Sequence, residues 1–246
     1  MKYSNIIQAK FISRPNRFIA EAQVGGNIVR AHVKNTGRCK ELLLPGATVY
    51  LQDHRKNMGN RKLAYSLISV EKRTDDGKTL IVNMDSQAPN HVVKEALVEN
   101  RIRLPHLDLL DEVKPECTFG GSRLDFFLRD IEGREGFAEV KGVNLEKNAA
   151  ALFPDAPTER GIKHLNELIK IKETGREAYA IFVIQMEGIR YFMPNDDCHP
   201  EFGNALRKAS AAGVGILAFD CKVTPEEIKI KDRIETVLRR KDNGYE

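Results

Sequence analysis

Long apolar runs are missing from this chain. None approaches the roughly 18 residues that a membrane span needs, so no membrane partner is expected. The first ten residues, M-K-Y-S-N-I-I-Q-A-K, hold neither the apolar core nor the small-residue cleavage site of a secretory signal, and the chain reads as cytoplasmic. Cysteine is scarce and scattered. Cys39, Cys117, Cys198 and Cys221 form no C-x-x-C pair and have no histidine at zinc-ligand spacing, which argues for reduced thiols and against a zinc module or disulfide framework. Gly25-Gly26 and Gly120-Gly121 belong to neither a G-x-G-x-x-G nor a Walker pattern, so they are turn glycines rather than phosphate loops. No recognition-helix motif is evident either, which leaves little basis for direct base readout.

What is present is an ordinary globular composition, 246 residues with 41% hydrophobic content, enough for one large domain or two modest ones. The charge is unevenly spread. Residues 1–85 carry 15 Lys and Arg against 7 Asp and Glu, a surplus of 8 positive charges, whereas the remainder holds 24 basic and 28 acidic residues, a deficit of 4. One part is suited to a polyanion and the other to cations.

The basic part reads as short strands broken by turn residues. F-I-S-R-P-N-R-F-I-A-E-A-Q-V, the tight turn at Gly25-Gly26-Asn27 and I-V-R-A-H-V-K make a hairpin, and further short strands run to Val82. About five such strands in about 80 residues, with no strong helix, predict a small closed barrel of the OB type. Two basic loops stand out. One holds Lys34, Asn35, Thr36, Arg38 and Lys40, the other Arg55, Lys56, Arg61 and Lys62, and Arg14 with Arg17 extends the patch. Such loops suit the phosphate backbone of DNA, where each neutralised charge releases counterions regardless of base sequence. Asn35-Thr36-Gly37-Arg38 reads equally well as an ordinary turn or as a phosphate contact.

The turn Asp85 to Asn90 divides the chain into an OB-like unit over 1–85 and an α/β unit over 86–246. A helix follows over His91–Asn100, with Val92, Val93, Ala96 and Leu97 as its buried stripe and Glu95 on another face. The form of 104–115 is left open. The stretch Gly120–Gly142 then reads as a β-hairpin: Leu124, Phe126 and Leu128 alternate with Asp125, and Phe137 and Val140 flank Glu139. Residues two apart on a strand share a face, so Glu139 and Lys141 project together, and a matching register adds Asp125. Two carboxylates with a lysine beside them suit Mg²⁺, or Mn²⁺ in its place, and an oriented water. Residues 144–155 read as loop. Then come a helix to about Thr174 that Gly175 ends and Pro157 or Asp155 begins, an apolar strand over 177–186, a helix over 200–212 and a strand over 215–221. The charged tail after Lys229 is left unassigned. His164 and His199 are candidate bases, but with no visible partner they read first as surface residues.

Asp125 followed by Glu139-Val140-Lys141 resembles the active-site signature of the PD-(D/E)xK nuclease-like superfamily, with Leu124 where proline normally precedes the first acid. N-T-G-R (35–38), L-L-L-P-G-A (42–47), Pro89-Asn90, S-R-L-D-F (122–126), E-V-K (139–141) and F-P-D-A-P-T-E-R-G-I-K-H-L (153–165) together resemble the sugar fermentation stimulation protein A family, with Pro157 where valine is common. That resemblance implies an OB-like barrel followed by a PD-(D/E)xK-type domain, DNA binding, and a regulatory role in sugar use. Metal ligation is then expected from Asp125, Glu139 and the Val140 carbonyl with Glu95 as an accessory, Lys141 orients the attacking water, and Arg160 clamps a phosphate. A non-cleaving DNA-binding regulator and a small-molecule or RNA hydrolase are the rival readings. The pattern does not set the oligomeric state, and a homodimer is compatible with it.

Overall fold

The computed structural model describes residues 1–35, 37, 39–74 and 77–239. Its N-terminal part consists of β1 (Ile6–Asn16), β2 (Ile19–Val24), β3 (Asn27–Val33), β4 (Thr48–Asp53), β5 (Tyr65–Arg73) and β6 (Thr79–Asn83). These pair in the order β3-β2-β1-β4-β5-β6, and a parallel pairing of β3 with β5 closes the first five into an OB-like barrel. Closure removes the unpaired edges that an open sheet of this size would leave. Small inward side chains permit so tight a barrel: Ala20, Ala22, Ala31 and Val33 are fully buried along β2 and β3. Gly25 and Gly26 both take positive φ between β2 and β3, the requirement of a two-residue hairpin turn.

The second part comprises α1 (Ala88–Val98), β7 (Leu110–Phe119), β8 (Ser122–Asp130), β9 (Glu135–Val143), β10 (Leu145–Lys147), β11 (Ala150–Phe153), α2 (Glu159–Glu173), β12 (Glu177–Ile184), β13 (Tyr191–Pro194), α3 (Pro200–Ala211), β14 (Gly215–Thr224) and β15 (Glu227–Thr236). Nine strands form one mixed sheet in the order β10-β11-β13-β15-β14-β12-β9-β8-β7, with β9, β12 and β14 mutually parallel at its centre. The apolar run of β12 is buried on both sides. Ala178, Ala180 and Phe182 pack with α2 and α3, whereas Tyr179, Ile181 and Val183 pack with α1. On β9 the same alternation puts Phe137 toward α2 and Ala138 and Val140 toward α1, so Glu139 points to the α2 side. Among the described residues no helix is long and apolar enough to cross a membrane.

Several elements differ from the sequence expectations. The first helix begins at Ala88, because Pro89 occupies an opening position where its missing N–H is no loss. Residues 144–155 form the β10–β11 hairpin instead of a loop. Its turn residues are Asn148 and Ala149, both at positive φ, and the alanine hides a turn that glycine would have announced. Thr158 caps α2, its Oγ1 accepting the Gly161 N–H at 3.1 Å, so the helix starts just after the Asp155-to-Pro157 segment. Residues 110–119 and the charged tail as far as Thr236 are strands, and 240–246 lie outside the described residues. In β15, buried Ile228 and Ile230 alternate with exposed Lys229 and Lys231, a half-buried pattern that the density of charge obscures.

A polar seam joins the two parts. Asn83, at the end of β6, accepts from the side chain of Gln185 at 3.0 Å and from the Asp85 N–H, and donates to the Tyr3 hydroxyl. Asp85 is completely buried and takes Lys34 Nζ at 2.6 Å and the Gln87 N–H at 3.0 Å. The barrel is thereby anchored at the point where α1 begins.

Candidate functional site

Paired residues of β8 and β9 run from Arg129 opposite Glu135 to Phe126 opposite Ala138. One step further along that register, Asp125 stands opposite Glu139. There the backbone ladder gives way, and the Asp125 carboxylate itself accepts the Val140 N–H through Oδ2 at 2.8 Å. Its Oδ1 accepts from Asn90 Nδ2 at 2.8 Å. Asn90 arrives from the first turn of α1, which lies close over β9 because Gly142 has no side chain. A Cβ there would come within 2.5 Å of Gln185 Oε1 and 2.8 Å of Pro89 Cγ.

Glu139 is buried, and its Oε1 is bonded by Lys141 Nζ and by His164 Nδ1 from α2. Lys141 Nζ also lies 3.3 Å from His164 Nδ1, and Arg160 Nε donates to His164 Nε2 at 3.4 Å. Glu139 Oε2 is buried with no hydrogen-bond partner among the described residues. An orphaned carboxylate oxygen is costly unless something else occupies it.

The two acids are driven apart electrostatically. Burial raises the Asp125 pKa first and the neighbouring Glu139 charge adds to it, against the opposing pull of the Val140 N–H, Asn90 and Lys141. Burial pushes Glu139 upward as well, but its bond to His164 and the charge and bond of Lys141 outweigh that, and its carboxyl lies below the usual range.

The donor set matches a hard cation. Glu139 Oε2 and Asp125 supply oxygens, and the carbonyl of Val140 points the same way as its N–H, toward Asp125. His164 Nδ1 is committed to Glu139, so no imidazole competes. Among the described residues no three His, Cys, Asp or Glu side chains cluster as a metal cage. Two carboxylates and a carbonyl, completed by water or phosphate, is a pattern Mg²⁺ accepts.

Other residues singled out in the sequence lie elsewhere. Glu95 does not join the carboxylates. It is on another face of α1, 46% exposed at its side chain, and binds the Met1 amino group at 2.7 Å. Lys34 is held by buried Asp85 rather than presented to solvent. Arg14 reaches back to the carbonyls of Asn35 and Gly37, both at 2.7 Å, and so shapes the loop. Asn35 bonds Asn144 and the Gly37 N–H. Arg55 is occupied by Asp53 through Nε and Nη2, at 3.0 and 2.7 Å. Arg17, Lys40, Lys56, Arg61 and Lys62 are exposed, and Arg160, also exposed, stays at the site through its bond to His164. Thr36 and Arg38 lie outside the described residues. The sequence reading does not bring in Asn90, and it places His164 at the surface, although the helix buries it against Glu139. The spacing Gly161-His164-Leu168-Ile171 along the buried side of α2 carried the signal for His164.

A closed OB-like barrel followed by a mixed-sheet α/β unit, with Asp125, Glu139 and Lys141 at one site, defines the class of this two-part protein. The chain belongs to the sugar fermentation stimulation protein family. The family description "SfsA N-terminal OB domain" matches residues 12–82, and "Sugar fermentation stimulation protein RE domain" matches residues 87–227. A sugar fermentation stimulation protein homolog of Desulfitobacterium hafniense is 49% identical over 97% of this chain and 99% of its own. One from Clostridium beijerinckii is 48% identical over 97% and 100%. Among solved structures, Pyrococcus furiosus SfsA in complex with Ca²⁺ superimposes with a TM-score of 0.82 at 28% identity, covering 96% of this chain and 98% of that one.

Proposed function

We propose that this protein binds DNA through its phosphate backbone and hydrolyses a phosphodiester bond at the Asp125–Glu139 site with a bound divalent cation, Mg²⁺ or Mn²⁺. The observation that carries this reading is the buried, unpartnered Glu139 Oε2 beside Asp125 and Lys141. The Pyrococcus furiosus relative was solved in complex with Ca²⁺, and hard cations of this kind take carboxylate and carbonyl oxygens.

Asp125, Glu139 and the Val140 carbonyl would hold the cation, which when bound supplies Lewis-acid stabilisation of charge on the phosphate. Asn90 and the Val140 N–H fix the orientation of Asp125. His164 and Lys141 both grip Glu139 Oε1, which leaves Oε2 turned to the ligand. Lys141 sits where its ammonium can orient a water for in-line attack and meet the growing negative charge. Arg160, exposed at the start of α2, supplies a second cation for a phosphate oxygen.

The direct test is incubation of supercoiled plasmid with the purified protein and Mg²⁺ or Mn²⁺. Nicking that EDTA abolishes supports the reading. Salt-sensitive binding without any nicking leaves a regulator that keeps only the nuclease fold.

Binding itself carries a separate prediction. Reversing Lys56, Arg61 and Lys62 to glutamate should weaken DNA affinity about equally across unrelated sequences. It should also flatten the plot of log affinity against log salt by about 0.9 for each phosphate no longer neutralised. Titrations by fluorescence anisotropy between low and moderate salt measure both. An unchanged slope would move the binding surface away from this loop. Arg55 is left out of that set because Asp53 already neutralises it.

A further inference from the structure

On the barrel lies a groove of about 520 Å³. That is within the range of sites that enclose small ligands, roughly 300–1,000 Å³. Phe18, Ile19 and Leu63 form its apolar wall, and Arg61, Lys62 and His32 its basic side. Among the described residues no carboxylate lines it. Lys34 is at its edge, already paired with Asp85. Phe18 is 45% exposed, so its ring is accessible from solvent.

The backbone that carries this ring is held in place. The Phe18 N–H donates to Asn16 Oδ1 at 2.9 Å, its carbonyl accepts the Val33 N–H at 2.8 Å, and the Arg17 guanidinium lies 4.7 Å over the ring centre. An accessible aromatic ring, backed by one cation and flanked by others in a groove whose described lining holds no carboxylate, is a stacking platform for a π system that carries phosphates. Bases within a duplex have both faces stacked and cannot offer one to the ring without being turned out.

We infer that this groove seats an unpaired segment of DNA, one base against Phe18 and the adjoining phosphates on Arg61 and Lys62. The inference rests on the DNA-binding reading above and narrows it to a substrate with a single-stranded stretch. The chain leaving the groove at Lys34 continues to Asn35, which bonds Asn144, the residue that follows β9. That contact ties the edge of the groove to the end of the strand bearing Glu139. A segment paired in a duplex would be held by its backbone alone.

The chain contains no tryptophan, so Phe18→Trp introduces a single fluorescent reporter at the platform. It is titrated at low salt with a dT strand within the ~4–16 nucleotides that OB barrels hold, and with a hairpin duplex of equal phosphate number. The expected result is quenching by the dT strand at concentrations where the duplex leaves emission unchanged. Phe18→Leu keeps the apolar bulk and removes the ring. It should lose affinity for the dT strand about tenfold more than for the duplex, in line with the ~5- to 150-fold worth of one stacked base. Salt-sensitive binding of both DNAs with no quenching, or equal losses in Phe18→Leu, overturns the groove assignment and leaves the DNA-binding reading intact. If neither DNA binds, both readings fall together. Tighter binding of an equally long rU strand than of dT assigns the groove to RNA and overturns the proposal for DNA.

Discussion

Replacing Asp125 with alanine should abolish plasmid nicking, a loss of about a thousandfold or more, the scale expected when a ligand to the catalytic cation is removed. Activity that persists in the variant would trace to a contaminating nuclease. Asp125→Asn separates chemistry from folding. Its amide oxygen can still accept the Val140 N–H, but the negative charge is gone. Burial and the nearby Glu139 raise the Asp125 pKa, so its contribution to stability is intact below the unfolded carboxylate range and is lost as pH rises through the folded value. At pH 8 without metal the ionised carboxylate is a net cost to the fold. The variant should therefore melt higher than the parent at pH 8, and the gain should shrink toward pH 5.

Cation binding reverses that order. At a hundred times its Kd, Mg²⁺ should stabilise the parent by about 2.7 kcal/mol, or roughly 5–10 °C for a chain of this size, and leave Asp125→Asn nearly unmoved. Thermal melts with and without the ion measure this independently of turnover. Equal shifts in parent and variant would place the ion elsewhere.

The second large effect is on stability. Asp85→Ala should cost about 2–3 kcal/mol, which is roughly 5–10 °C in the thermal midpoint. The carboxylate is completely buried and satisfies Lys34 Nζ and the Gln87 N–H, both of which are left without it. The cost falls short of the roughly 3–5 kcal/mol of a fully enclosed pair because the Lys34 side chain remains 24% exposed and can be partly rehydrated. Adding Lys34→Met should recover part of the loss, since it removes the uncompensated cation. A full additive penalty in the double variant would show that the pair is not what holds the seam. The same geometry predicts that Lys34→Ala weakens DNA binding less than Lys62→Ala, whose ammonium is exposed.

Much of the fold was legible in the residues alone. Alternating apolar residues and turn signals over residues 1–85 specified short strands closing on themselves. The strand character of 122–130 followed from Leu124, Phe126 and Leu128 alternating with Asp125, whereas its register against β9 came from the structure. What escaped was structure whose local signal was masked: Asn148-Ala149, a turn without glycine, and β15, a strand whose exposed face is almost wholly charged.

The site divides in the same way. Strand periodicity by itself put Glu139 and Lys141 on one face, because a period of two allows no other outcome, and left it to the hairpin register to add Asp125. Residue type also determined where positive charge accumulates. Only the tertiary structure decided which of those charges are available. Lys34, Arg55 and Glu95 look like any other exposed charge in sequence, yet each is paired with Asp85, Asp53 or the Met1 amino group. Tertiary packing likewise brought Asn90 and His164 to the two carboxylates from separate helices. The physical reason is range: backbone periodicity acts over a few residues and is written locally, whereas the pairing of charges depends on which distant segments the core brings within a few ångströms.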